Sequence, residues 1–152
     1  MSRRARPNDQ RALADEVVSG VRAVYQELAS RPIERACTTQ TDCCRFRLTG
    51  RTPFLTKAEA LVAARAVRAS GRTKLPARQD GACPLLGESG KCMIYDGRPF
   101  GCRTHFCAAA GGPYGRKDVS DLIYRLEDLS RKLGGREAEA LPGAVQEALQ
   151  SL

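Results

Sequence analysis

Cys83-Pro84-Leu85-Leu86, followed by Gly90-Lys91-Cys92-Met93-Ile94-Tyr95-Asp96-Gly97-Arg98-Pro99-Phe100-Gly101-Cys102-Arg103-Thr104-His105-Phe106-Cys107, is the stretch least like an ordinary helix or strand. Four cysteines stand in it, and three more precede it in Cys37-Thr38-Thr39-Gln40-Thr41-Asp42-Cys43-Cys44. All seven cysteines of the 152-residue chain therefore fall between Cys37 and Cys107. The number is odd, and the basic N-terminal residues lead into a charged segment with no apolar core of a signal peptide. A concentrated, odd set in such a chain points to metal binding or catalysis before a disulfide framework. The region from Gly71 to Lys117 is dense in glycine and proline and weak in strand pattern. A stretch that long with so little regular structure needs another source of order, and metal coordination supplies one, because binding free energy can be folding free energy.

Helical patterns frame this region. Leu13, Val17, Val21, Val24, Tyr25 and Leu28 recur at helical spacing and predict a helix from about Asp9 to Ala29, within an N-terminal unit over 9–30. Asn8 or Asp9 is the expected cap, and Arg31-Pro32 the expected end. Thr56-Lys57-Ala58-Glu59 reads as a capping box opening a second helix to about Ser70, with Gly71 closing it. Its many alanines permit another element to approach closely. Leu122, Ile123, Leu126, Leu129 and Leu133 predict a third helix from about Val119, ended by Gly134-Gly135. A short fourth, about Pro142 to Leu149, completes a C-terminal unit over 119–152. The expected fold is one domain over 1–152, mainly α, with an irregular cysteine-rich, metal-centred core over 37–107 flanked by about four helices.

Composition excludes several classes. At 42% hydrophobic and 28% charged the chain is globular. No apolar run reaches membrane-spanning length, so a cytoplasmic protein without a membrane partner is expected. The net charge of +8 is concentrated: residues 36–117 hold 14 basic and 5 acidic side chains. Thiolates are the metal-binding form of cysteine and would cancel most of that excess, while nearby Arg and Lys would lower thiol pKa. Charge compensation is thus preferred to a nucleic-acid surface, for which four Phe, four Tyr and no Trp offer few stacking platforms.

Eight donors are available: Cys37, Cys43, Cys44, Cys83, Cys92, Cys102, Cys107 and His105, the only histidine. They suffice for two four-coordinate zinc ions, for one iron–sulfur cluster with spare thiols, or for one metal beside a reactive cysteine pair. The spacings are neither the paired C-x2-C of zinc fingers nor those of ferredoxins, so they name the metal poorly. Arg98 and Arg103 can donate to metal-bound sulfur or pair with Asp80 or Asp96. Tyr95 reads as a core tyrosine. No P-loop, dinucleotide fingerprint or hydrolase elbow is present.

In order and spacing these pieces resemble the YkgJ-type cysteine-cluster family, a class of zinc- or iron-chelating domains. The family's first motif is C-x2-C-x2-C-C. Its second half runs C-P-x-L, then G-x-C-x-I-Y-x-x-R-P-x-x-C-R, then a further cysteine. Cys37, Cys43 and Cys44 match the first motif, and Cys83, Cys92, Ile94, Tyr95, Arg98, Pro99, Cys102, Arg103 and Cys107 match the second. The likeness covers about residues 37–107 and leaves the flanking helices outside. Gln40 stands where the motif's second cysteine falls, and an amide supplies no thiolate, so His105 becomes the candidate replacement donor. The resemblance implies a metal-binding protein coordinating zinc, iron or an iron–sulfur centre, with a redox or protein-modification role; some longer relatives are linked to protein modification with an iron–sulfur centre. The alternatives are a structural zinc module presenting its helices to a protein partner and a basic nucleic-acid-binding zinc module.

Overall fold

A computed structural model describes residues 4–31, 51–105 and 114–152. Four expected ligands, Cys37, Cys43, Cys44 and Cys107, lie outside the described residues, as does Gln40. The described chain contains five α-helices: α1 (Pro7–Ser30), α2 (Lys57–Ala69), α3 (Phe100–Thr104), α4 (Arg116–Lys132) and α5 (Leu141–Gln150). A two-residue strand β1 (Phe54–Leu55) pairs antiparallel with β2 (Glu139–Ala140), Phe54 opposite Ala140 and Leu55 opposite Glu139. The protein is mainly α, as its periodicity predicts.

Local chemistry explains the helix ends. α1 starts two residues earlier than expected, because Pro7 takes the first helical turn and Arg6 is the N-cap without a side-chain bond. Proline suits that place, having no N–H to leave unpaired, so neither Asn8 nor Asp9 caps. Arg31 is extended, as a residue before proline must be. At α2 the capping box forms in full: the Thr56 hydroxyl accepts the Glu59 N–H, and the Glu59 carboxylate accepts the Thr56 N–H. α2 and α4 both close on a left-handed glycine, Gly71 (φ 88°) and Gly134 (φ 73°). Gly135 donates to the Ser130 carbonyl and Gly134 to Arg131, and Arg72 and Gly71 do the same for Val67 and Arg68.

α2 is the axis of the molecule, packed against α1, α4 and α5. Two cores meet on it. On one side Val17, Val21 and Val24 of α1 and Val119, Leu122 and Leu126 of α4 close over Ala58, Leu61 and Val62. On the other, Leu141, Val145 and Leu149 of α5 and Leu85, Leu86 and Ile94 of the cysteine region close over Ala60, Ala63 and Val67. A helix buried between two cores needs apolar side chains nearly all round, and Ala58 to Ala64 are all buried, Glu59 included. The alanines do permit close approach: a Cβ on Gly97 would lie 3.0 Å from the Ala66 Cβ. The β1–β2 pair and the Leu141 N–H to Pro53 carbonyl bond (2.9 Å) tie the entry of α2 to that of α5.

Candidate metal centre

The cysteine region is ordered by turns. Leu86 and Cys92 form an antiparallel bridge. Between them Gly90 donates to the Gly87 carbonyl, and Gly87 donates to Lys91. Gly90 is left-handed (φ 78°), the conformation the last residue of a three-residue hairpin loop requires. The Met93 N–H donates to the Leu85 carbonyl, and the Leu86 N–H to that of Cys83. Arg78 supports this hairpin from outside, bonding the Leu86 carbonyl and both carboxylate oxygens of Asp80, while Asp80 accepts the Ala82 N–H. Arg78 and the Ala82 amide hold the Asp80 carboxyl well below its usual range.

Cys83 is buried against the α2–α5 core, and Cys92 and Cys102 pack partly buried against the same core. Burial pushes the Cys83 thiol up to about 11, and Cys92 adds to the rise, while the backbone amides of Leu85 and Leu86 pull the other way. A neutral thiol is a weak hydrogen-bond acceptor, so these amides offset little of the effect of burial. A thiolate buried in this core needs a cation to balance its charge. The donor set thus fits a thiophilic metal: Cys83 and Cys92 would hold it, and the metal would supply the positive charge that keeps those sulfurs ionised.

After the hairpin a 3-10 turn (Tyr95–Gly97) leads into α3, which carries Cys102 and ends at His105. This five-residue helix is absent from the sequence expectation, because Pro99 and Gly101 interrupt any helical pattern. Pro99 is in fact the N-cap, and Gly101 sits in the helix close to Pro53 and Phe54 of β1. The His105 Nδ1 is buried and makes no hydrogen bond among the described residues. Burial and then the charge of Arg51 lower its pKa, favouring the neutral imidazole that ligates metals. An orphaned ring nitrogen in the neutral form is consistent with a donor awaiting an acceptor such as a metal.

The two arginines serve the backbone. Arg98 Nε donates to the Tyr95 carbonyl, and its guanidinium stacks 3.7 Å from the Tyr95 ring centroid. Arg103 donates to the Arg98 and Asp96 carbonyls and stacks 4.0 Å over the Tyr25 ring. Asp80 is taken by Arg78, and no carboxylate pair of Arg98 or Arg103 is among the described bonds. Tyr95 is 46% exposed; the core tyrosine is Tyr25, at 4%. A residue in a short turn over α2 has its backbone, not its ring, against the core.

Among the described residues no three of His, Cys, Asp and Glu stand close enough to hold one metal ion between them. Cys83, Cys92 and Cys102 stand on one core, and His105 follows Cys102 by three residues. Glu59 is the residue whose importance the sequence reading missed. It is buried (3% exposed) and sits as a lone charge in the apolar run Ala58–Ala64, the one signal that could have flagged it.

No curated protein and no solved structure matches the chain. The model of the CxxCxxCC family, described as "Putative zinc- or iron-chelating domain", matches residues 36–124. The match is longer than the expected 37–107 and reaches into α4, so the unit includes α2, α3 and the start of a helix first placed outside it. The matched residues make up more than half of the chain, and the chain belongs to the CxxCxxCC family.

Proposed function

We propose that the protein holds zinc or iron through cysteine thiolates contributed by both halves of the family motif, and that the metal acts as a structural staple. Cys37, Cys43, Cys44, Cys83, Cys92, Cys102 and Cys107 are the proposed sulfur donors, with His105 taking the donor role that Gln40 lacks. The observation that carries the reading is where the described cysteines stand: Cys83, Cys92 and Cys102 all pack on the α2–α5 core, Cys83 buried and Cys92 on the bridged hairpin that follows it. A staple is favoured because the 83–105 region has few strands or long helices of its own and lies on the α2–α5 core. Bound metal would add folding free energy where backbone pairing adds little.

Elemental analysis with an optical spectrum of anaerobically purified protein tests this reading. A colourless chain carrying stoichiometric zinc, or a coloured one carrying iron, is expected, and Cys102→Ser should lose bound metal. A chain with neither element, or Cys102→Ser with full metal content, overturns the assignment.

A further inference from the structure

The Glu59 carboxylate accepts four hydrogen bonds in a buried site. Oε2 takes the Thr56 N–H (2.8 Å) and hydroxyl (3.0 Å), closing the capping box. Oε1 takes the Tyr25 hydroxyl of α1 (3.4 Å) and the Phe100 N–H (2.7 Å), the first residue of α3. The capping bonds need only an exposed carboxylate, as in most helices; the bond to Phe100 reaches 41 residues along the chain. A second anchor lies one turn on. Arg103 stacks over the Tyr25 ring, and Tyr25 is itself bonded to Glu59. Cys102 lies between these two anchored residues, Phe100 and Arg103, both held by the platform that α1 and α2 form. The Cys102 N–H closes onto Pro99 (3.0 Å), so the position of its Cβ follows that of the turn.

We propose that Glu59 is a positioning residue for the metal centre: through the Phe100 N–H, and through Tyr25 and Arg103, it sets where the Cys102 sulfur stands. The inference rests on the reading of Cys102 as a ligand. A rigid support is what converts a thiol on a short turn into a tight ligand, since a loosely held donor must be ordered at the moment of binding.

The test uses the full chain, Co²⁺ and Zn²⁺ as probes, and the variants Glu59→Gln, Thr56→Ala and Cys102→Ser. In Glu59→Gln the side-chain amide opposes an N–H donor at one of its two ends. Thr56→Ala removes part of the cap and leaves the Phe100 bond. Glu59→Gln should weaken Co²⁺ binding roughly tenfold or more and shift the cobalt ligand-field bands, the scale of loss seen when support of a ligand is removed. Thr56→Ala should keep the wild-type cobalt spectrum and bind within about threefold of wild type, because its loss is confined to helix capping. Wild-type affinity and spectrum in Glu59→Gln, or an equal loss in Thr56→Ala at equal loss of stability, would overturn the proposal. If Glu59→Gln does not fold, Tyr25→Leu decides: it removes the ring beneath Arg103 and the bond to Glu59, and an unchanged cobalt spectrum overturns the proposal. Cys102→Ser with undiminished affinity sinks the ligand reading and the inference with it. Weakened binding in Cys102→Ser alongside intact Glu59→Gln sinks the inference alone.

Discussion

Replacing Cys83 by alanine separates a metal ligand from a buried apolar side chain. Cys83 is 6% exposed within the α2–α5 core. As packing alone, the lost sulfur costs about 1 kcal/mol, close to one buried methylene. Without metal, Cys83→Ala should therefore be less stable by about 1 kcal/mol. As a ligand the thiolate matters far more with metal present. Metal at a hundred times its dissociation constant stabilises the wild type by about 2.7 kcal/mol. A roughly hundredfold loss of affinity, at the upper end of what outer-shell changes produce, would cut that increment to about 0.4 kcal/mol. The assay is denaturant unfolding of both proteins under reducing, anaerobic conditions, with chelator and with Zn²⁺. The account predicts a mutational cost about 2 kcal/mol larger with metal than without. Equal costs in the two conditions would make Cys83 a core residue and nothing more.

Other expectations follow from the same geometry. Gly90→Ala meets no atom within 4 Å, so its cost is the left-handed backbone alone, about 1–2 kcal/mol; zinc affinity should fall with it, because the hairpin carries Cys83 and Cys92, and unfolding with and without zinc reads both. Leu122→Ala, fully buried in the other core, should cost about 2–5 kcal/mol by the same assay, equally with and without metal. A metal-dependent cost there would show that the two cores are not independent. Burial lifts the Glu59 carboxyl above its ordinary value of 4.5, against the pull of Thr56, Phe100 and Tyr25. Its contribution to stability is then full below the unfolded value and declines as pH rises through the folded one. Metal-free wild type should lose stability relative to Glu59→Gln as pH rises from 4.5, in thermal unfolding across that interval. The opposite slope would mean that the four hydrogen bonds outweigh burial.

Sequence and structure agree where a signal is repeated or strictly local. The α1 stripe from Val17 to Leu28, the α4 stripe at Leu122 and Leu126, the capping box at Thr56 and the glycine stops at Gly71 and Gly134 were all legible, because periodicity and backbone stereochemistry act within a few residues. The start of α1 was misplaced because a proline at the first turn competes with polar caps two residues later. The β1–β2 pair was invisible, since two residues on each side carry no alternation to read. α3 was hidden by Pro99 and Gly101, which mark turns in most contexts. The burial of Glu59 was not legible either: a capping box fixes which atoms bond, and only the packing of α1 and α3 against α2 determines that they do so away from water. At the metal centre, the spacing of Cys83 and Cys92 did not announce a pair, since eight residues separate them; the Leu86–Cys92 bridge and the Gly90 turn join them.

Cysteine alkylation read residue by residue, on anaerobically purified protein before and after chelation, tests the shared metal centre most directly. The account predicts that cysteines of both stretches, 37–44 and 83–107, are shielded together and become reactive together when the metal is withdrawn. Cys37, Cys43 and Cys44 reacting as fast before chelation as after it, while Cys83 and Cys92 change, would contradict a centre built from both.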